Sequence, residues 1–240
     1  FIKVRNNFVY IMWKEIIIKT KEEIIELLRT DVQAFNAYRQ ELIEQEIYDL
    51  DLSRADLRHL DLSGANLKYA NLEDANLYYV NLSYSNLCYS NLSGTNLEDA
   101  NLSSTKLNYA NLNGANLNDT DLSCANLFNV NLRESHLVNA NLNRANLSNS
   151  NLSNVDLRNV DLRNVDLSGA KLDQEFIQVI GLGSEKRMTT YLFGDDLIFC
   201  GCFKGSLKEF KKRVKETYPE EENKYRLEYL DFIKMINKKR

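Results

Sequence analysis

Residues 65–79 read Ala65-Asn66-Leu67-Lys68-Tyr69-Ala70-Asn71-Leu72-Glu73-Asp74-Ala75-Asn76-Leu77-Tyr78-Tyr79, three turns of a five-residue unit centred on leucine. Extended in both directions, the register holds without a slip from Leu52 to Leu172, which makes 25 units. Two residues before each leucine stands a small or apolar residue, such as Ala65, Thr95, Ala115 or Val160. Immediately before it stands Asp or Asn, except at Lys106, His136 and Lys171.

A period of five excludes a continuous helix, because five residues advance about 500° and smear the leucines around the axis. It also excludes one long strand, since an odd spacing sends successive leucines to opposite faces. Each unit therefore needs a short extended piece and a corner that turns the next leucine inward again. Repetition of that corner coils the chain around a leucine-filled axis, a β-solenoid.

Units such as Ala65-Asn66-Leu67-Lys68-Tyr69 and Ala75-Asn76-Leu77-Tyr78-Tyr79 resemble the A(D/N)LXX unit of pentapeptide-repeat proteins, over roughly half of the chain. The resemblance implies a mainly β fold, a right-handed quadrilateral β-helix with four units per coil. Recurrence of Tyr69, Tyr89 and Tyr109, and of Ser63, Ser83, Ser103 and Ser123, agrees with a 20-residue coil. Six coils at ~4.8 Å per layer make a rod about 30 Å long. Its narrow interior is filled by leucine, leaving no channel for a substrate.

Stacking explains the preference for Asn over Asp. Asn71, Asn91, Asn111, Asn131 and Asn151 fall one above another, where amides can hydrogen-bond as a ladder and carboxylates repel. Aspartate gathers toward the ends, at Asp51, Asp56 and Asp61 and at Asp156, Asp161 and Asp166.

Outside the repeats the composition changes, and three segments are expected: 1–47, 48–172 and 173–240. An exposed solenoid end would template further strands, so caps are expected at both. Thr20 with Glu23 reads as a capping box opening a helix through Arg29, and Thr30 with Gln33 opens another toward Gln45. Ile24, Leu27, Leu28, Val32, Phe35, Tyr38 and Leu42 supply their apolar faces. Trp13 to Lys19 reads as a strand. After Leu172, Arg187 to Phe193 and Leu197 to Phe203 read as strands around a Gly194-Asp195-Asp196 turn. Ser206 with Glu209 opens a helix that turns Leu207, Phe210 and Val214 inward. Pro219 and Glu220 begin a last helix carrying Tyr229, Leu230, Phe232, Ile233 and Ile236. Residues 173–240 thus form a small α/β module of a hairpin and two helices.

The chain carries 30 Lys+Arg against 34 Asp+Glu, a balance that demands neither a nucleic-acid nor a membrane partner. One proline and nine glycines leave no flexible linker. The apolar run Phe8 to Ile18 is interrupted by Lys14 and Glu15 and is too short to span a bilayer. Met12 is a candidate translation start. Without an export signal, and with four cysteines, the expected compartment is the cytoplasm. Cys88 and Cys124 face outward, and Cys200 and Cys202 have neither zinc nor thioredoxin spacing. His59 and His136 lie on different coils. No catalytic constellation, metal set or cofactor-binding loop is present in the pattern, so no enzyme activity, metal or cofactor is expected.

Two surface features stand out. Tyr69, Tyr89 and Tyr109 should stack along one face, with Phe128 one position off and Tyr78, Tyr79 and Tyr84 on neighbouring faces. Grouped exposed tyrosines suit a protein contact surface, and equally suit a self-stacking ladder that stiffens the rod. Glu73, Asp74, Glu98, Asp99 and Asp119 should occupy two adjacent faces. Some relatives in this family bind type II topoisomerases by imitating duplex DNA, which makes a DNA mimic the rival to a protein-binding scaffold. Residues 48–172 hold 14 acidic and 9 basic side chains, and Arg133, Arg144, Arg158 and Arg163 dilute the second half. Duplex DNA carries a charge about every 1.7 Å, so the rod is a poor electrostatic copy. Lys208, Lys211, Lys212 and Lys215, with the terminal Lys238-Lys239-Arg240, read as solvated helix surface rather than a nucleic-acid site. A protein partner is therefore expected; an unrecognised activity in residues 173–240 is the third reading.

Overall fold

A computed structural model describes residues 2–5, 8–11, 18–155, 160, 162, 164–173, 176–182, 187–200 and 203–239. In chain order the elements are β1 (Ile2–Arg5), β2 (Phe8–Ile11), α1 (Lys21–Thr30), α2 (Val32–Glu44), β3 (Asn151–Leu152), β4 (Lys171–Leu172), β5 (Phe176–Leu182), β6 (Arg187–Leu192), β7 (Leu197–Cys200), β8 (Phe203–Ser206), α3 (Leu207–Thr217) and α4 (Lys224–Lys239). Between α2 and β3 the backbone is the repeat.

Each repeat unit makes one side of a coil. The residue before leucine forms a parallel bridge to the residue 20 positions on, from Asp51↔Asn71 to Asn146↔Asp166, so four units close a coil. Leu52 N–H donates forward to Asn71 O (2.7 Å) and Asn71 N–H donates back to Leu50 O (2.8 Å), and this alternation recurs along the rod. Ala55 N–H then closes a four-residue turn onto Leu52 O (3.1 Å). The turn needs a left-handed residue two after leucine, the sign pattern of a type II turn. Every described residue at that corner from Arg54 to Gly169 has φ between 54° and 70°. Only four of them are glycine, so many corners bear a side chain in a conformation that costs roughly 1 kcal/mol or more.

The coil axis is packed solid. Every central leucine from Leu52 to Leu147 is fully buried, worth roughly 1.5–3 kcal/mol apiece. The small residues two positions earlier are buried as well. Where they are hydroxylic, the hydroxyl is satisfied by a leucine carbonyl: Ser90 Oγ to Leu87 O (2.7 Å), Thr95 Oγ1 to Leu92 O (2.6 Å), Thr120 Oγ1 to Leu97 O (2.8 Å). The exception is the buried Ser85 hydroxyl, which has no partner.

The asparagine ladder is directional. Asn71 Nδ2 donates to Asp51 Oδ1, Asn91 to Asn71, Asn111 to Asn91 and Asn131 to Asn111, at 3.3, 3.3, 3.1 and 2.9 Å. Each Oδ1 also accepts the backbone N–H two residues on, as Asp51 does from Ser53 (2.9 Å). An aspartate can only accept, which is all the first rung requires. Asp121 shows the same limit inside the rod: it accepts from Asn141 (2.9 Å) but has nothing to donate to Asn101. Of the aspartates expected near the far end, Asp156 and Asp161 lie outside the described residues, and Asp166 accepts from Ser168.

Helices α1 and α2 lie against the first coil. The Thr20–Glu23 capping box is formed. The second helix is instead capped by Asp31, which accepts from Ala34 N–H (2.9 Å), because the Thr30 hydroxyl is drawn back to Glu26 O within α1. Ile24, Leu28, Phe35, Tyr38 and Leu42 join the leucine core. Side chains of the helices reach the coil's outward backbone: Asn36 donates to Gly64 O (3.0 Å) and accepts from Asn66 N–H (2.7 Å), Arg29 donates to Asp56 O (3.3 Å), and Lys21 reaches Ser53 O. Arg39, fully buried, donates to Lys68 O (2.9 Å), with Nε and Nη1 unpaired. Its burial pulls the guanidinium below its usual range. The strand expected from Trp13 to Lys19 lies mostly outside the described residues, and no strand continues over 18–20.

Beyond the rod, β5–β6–β7–β8 form a four-stranded antiparallel sheet rather than the expected hairpin. The run read as one strand from Leu197 to Phe203 is two, paired Cys200↔Phe203, and β5 adds a strand directly after the last units. Alternation divides the sheet: Leu192 and Phe199 enter the rod's core, while Tyr191, Ile198 and Cys200 pack with α3 and α4. Gln178 Nε2 donates to Val165 O (2.8 Å) and Thr190 Oγ1 (2.7 Å). The Ser206–Glu209 capping box opens α3. Helix α4 begins at Lys224 rather than Pro219, since Asn223 Oδ1 accepts from Tyr225 and Arg226 N–H (3.0 and 3.3 Å) and sets the start there. No helix among the described residues is long and apolar enough to cross a membrane.

Candidate interaction surface

The corner residue of each unit projects outward, and five corners carry tyrosine: Tyr69, Tyr79, Tyr84, Tyr89 and Tyr109. Three share one column, because bridging partners differ by 20. Tyr69 and Tyr89 stack at 5.4 Å and 26°, and Tyr89 and Tyr109 at 4.9 Å and 3°. Phe128 closes one end edge-on at 5.5 Å, and Tyr48 the other at 5.1 Å. Lys68 Nζ lies 4.7 Å from the Tyr69 ring centroid. The ring faces are therefore turned on one another, and the ladder presents edges and hydroxyls to solvent. Tyr48 precedes the first full unit, so the repeat register did not single it out. Its signal is its position 20 before Lys68, in the column that also holds Phe128.

Tyr78 and Tyr79 occupy a different side. His59 stands 5.5 Å from Tyr78 and 5.7 Å from Tyr79, and the two tyrosines are 6.0 Å apart, tilted. Tyr79 is 61% exposed. Tyr84, at the next corner, is 73% exposed and does not join the ladder.

The acidic residues fall beside this second group. The columns run Tyr78, Glu98, Asn118 and Tyr79, Asp99, Asp119, as Tyr79 N–H to Glu98 O (3.0 Å) and Asp99 N–H to Asn118 O (3.1 Å) require. Asp99 raises the Tyr78 hydroxyl's pKa, chiefly by its negative charge. Glu98 accepts from Asn116 Nδ2 (3.1 Å), and Asp119 from Asn139 Nδ2 (3.0 Å). Glu73 accepts from Asn91 (3.4 Å) on the preceding side, and Asp74 faces Arg54 at 3.8 Å. Glu98, Asp99 and Asp119 thus come together with Tyr78 and Tyr79, whereas Tyr84 and the ladder stand apart from them.

Chemistry-bearing residues elsewhere are dispersed. Among the described residues no group of His, Cys, Asp and Glu is placed to hold a metal ion. The Cys88 thiol is pushed up by burial, and its Sγ lies 3.6 Å from Asn108 Oδ1. In the C-terminal sheet Thr189 Oγ1 donates to the buried Cys200 Sγ (3.1 Å), and burial drives the Tyr229 hydroxyl well above the ordinary phenol range. For Cys88 and Tyr229, burial suppresses ionisation rather than preparing a nucleophile.

Comparison with known proteins gives a consistent likeness. The family described as pentapeptide repeats matches in eight copies, over residues 55–94, 81–119, 95–134, 125–164 and 140–174. Among solved structures, HetL from the cyanobacterium Nostoc sp. strain PCC 7120, a pentapeptide repeat protein involved in heterocyst differentiation regulation, is 35% identical. That match covers 51% of this chain and 62% of HetL, less than two thirds of its length, with a TM-score of 0.32. Rfr23 from the cyanobacterium Cyanothece 51142 is 30% identical, over 58% of this chain and 95% of Rfr23, with a TM-score of 0.27. QnrB1, a plasmid-mediated fluoroquinolone resistance protein, is 20% identical over 52% of this chain and 84% of QnrB1, with a TM-score of 0.24. No curated protein matches the chain.

Proposed function

The chain belongs to the pentapeptide-repeat family, and from that premise we propose that it is a non-enzymatic recognition scaffold whose rod displays a lateral surface to a protein partner. The observation that carries this reading is the exposure of Tyr79 and Tyr84 at successive corners of one coil. Exposed tyrosine combines contact area with low conformational cost, and interfaces are enriched in it. The solid leucine axis leaves the rod's outside as the surface that varies between coils.

The reading includes a right-handed coil of residues 48–172 sealed at both ends. Residues 1–47 serve as an N-terminal strand and helical cap, and the small α/β module of residues 173–240 caps the last units. Asn36 and Gln178 support it, since each places a carboxamide where a further coil would offer backbone partners. A sealed rod neither extends nor pairs end to end, so its partner meets the sides.

Affinity capture from the native host, followed by mass spectrometry, tests the proposal. A partner retained by the wild-type chain should be lost from Tyr79→Ser/Tyr84→Ser, with Tyr69→Ser/Tyr89→Ser/Tyr109→Ser in parallel to weigh the ladder. Capture unchanged in both folded variants removes the tyrosine surface from the account. The rival, a topoisomerase-directed DNA mimic, draws on the Glu98, Asp99 and Asp119 group. A gyrase supercoiling assay that shows neither inhibition nor protection at micromolar protein eliminates it.

A further inference from the structure

Two kinds of tyrosine share the first coils. In the ladder each ring face meets another ring, but Tyr79 has only tilted neighbours and keeps most of its ring open. One layer on in its own column stands Asp99, and one further Asp119, with Glu98 alongside. Glu98 and Asp119 accept from side-chain amides, the charge of Asp99 acts on the Tyr78 hydroxyl, and none of the three forms an ion pair among the described residues. Arg58, in the column of Tyr78 and Glu98, pairs with Asp56 at 2.8 Å, and on the preceding side Arg54 faces Asp74 at 3.8 Å and Arg133 pairs with Glu134 at 2.8 Å. Three carboxylates on neighbouring rungs, with layers ~4.8 Å apart, repel one another within a Debye length.

An open aromatic face beside unneutralised carboxylates has one well-matched occupant. A guanidinium is planar and weakly hydrated, lies flat on an aromatic ring, and offers a fork of donors to a carboxylate. An ammonium can neutralise the charge but matches neither the ring nor the fork as well. We propose that the Tyr78–Tyr79–Glu98–Asp99–Asp119 face docks an arginine-rich segment of a partner protein, with Tyr79 supplying the platform and Asp99 and Asp119 the anchors. This rests on the recognition-scaffold reading and names the partner's chemistry. In an extended segment alternate side chains are about 6.6 Å apart, so two arginines span Tyr79 to Asp119, two layers or ~9.6 Å, with little bending of their stems. The same carboxylates repel nucleic acid and anionic lipid.

The test uses the full chain and three fluorescent nine-residue peptides, carrying four arginines, four lysines or four glutamates, read by anisotropy at 0.1 M salt. The arginine peptide should bind, the lysine peptide several-fold more weakly, and the glutamate peptide not at all. Asp99→Asn/Asp119→Asn should weaken arginine-peptide binding by about tenfold. Asparagine tolerates the left-handed corner, and at position 119 it still accepts from Asn139, so the fold is kept. Tyr79→Ser should erase the preference for arginine over lysine, while Tyr89→Ser in the ladder should change neither. Equal affinity for wild type and the double variant, or a loss confined to Tyr89→Ser, overturns the proposal. No binding of the arginine peptide alongside Tyr79-dependent partner capture overturns it too, and leaves the broader scaffold reading standing.

Discussion

Leu167 N–H donates to Gln178 Oε1 at 2.9 Å, so a side-chain amide from the C-terminal sheet stands in for the backbone that a further coil would bring. With its Nε2 on Val165 O, Gln178 meets a donor and an acceptor of the same unit. Asn36 does the corresponding service at the other end, for Gly64 O and Asn66 N–H.

Gln178→Ala should therefore loosen the last coil while leaving the middle intact. Orphaning the two backbone groups costs roughly 1–3 kcal/mol. Native-state hydrogen exchange should show faster exchange at Leu167 than at Leu112, and unchanged protection at Leu167 would sever the link.

Asn111→Asp probes the direction of the ladder. Aspartate still accepts from Asn131 but cannot donate to Asn91 while ionised, which costs about 1 kcal/mol at neutral pH. Urea denaturation measures it; a variant as stable as wild type would mean that the amide ladder contributes nothing net.

Leu112→Asp should unfold the rod as a unit, because a carboxylate on the axis has neither water nor a partner. Leu112→Ala should cost about 3 kcal/mol and leave a folded, weakened rod. Circular dichroism distinguishes the two, and a natively folded aspartate variant would contradict the dry core.

Ser104→Gly should stabilise the rod. Ser104 holds φ = 57°, a strain that glycine relieves by roughly 1 kcal/mol, partly offset by the entropy glycine loses on folding. A net gain of about 0.5 kcal/mol in urea midpoint terms is expected, and a loss would assign Ser104 a contact beyond its backbone.

Acid should weaken the first coil before the rest. The Asp56 carboxyl is lowered to about 2, first by its hydrogen bond from Arg58, and Asp51 and Asp61 are lowered by hydrogen bonds from Ser53 and Ser63. A carboxyl depressed in the folded state adds stability above its unfolded pKa near 4 and loses it as pH falls toward the folded value. The melting temperature should drop between about pH 4 and 2, and Asp56→Asn should flatten part of that slope. The part is small because the pair is exposed. Identical slopes would exclude Asp56 from acid lability.

The rod itself was legible because one rule of spacing repeats 25 times, and each leucine reports the same constraint as its neighbours. Stacking of Tyr69, Tyr89 and Tyr109 followed from the same 20-residue arithmetic. Arg39 shows where such reading stops: its spacing from Phe35 and Leu42 puts it on the apolar face of α2, but its charge argues for solvent, and it lies buried at the first coil. Strand β5 was invisible for another reason, since nothing in Phe176–Leu182 marks a turn between the last unit and the sheet. The start of α2 was displaced by one residue because Thr30 and Asp31 are both competent caps, and the fold uses one of them.

By itself the sequence determined the coil, its filled axis, its amide rungs and the column each side chain joins, since all of these are local consequences repeated at a fixed period. Only the tertiary structure decided which tyrosines spend their faces on one another and which remain open, which carboxylates find cations, and which side chains meet the first and last coils. Those outcomes depend on distances between residues 20 or more apart, or on segments outside the period, and no local pattern encodes which of several competent partners arrives.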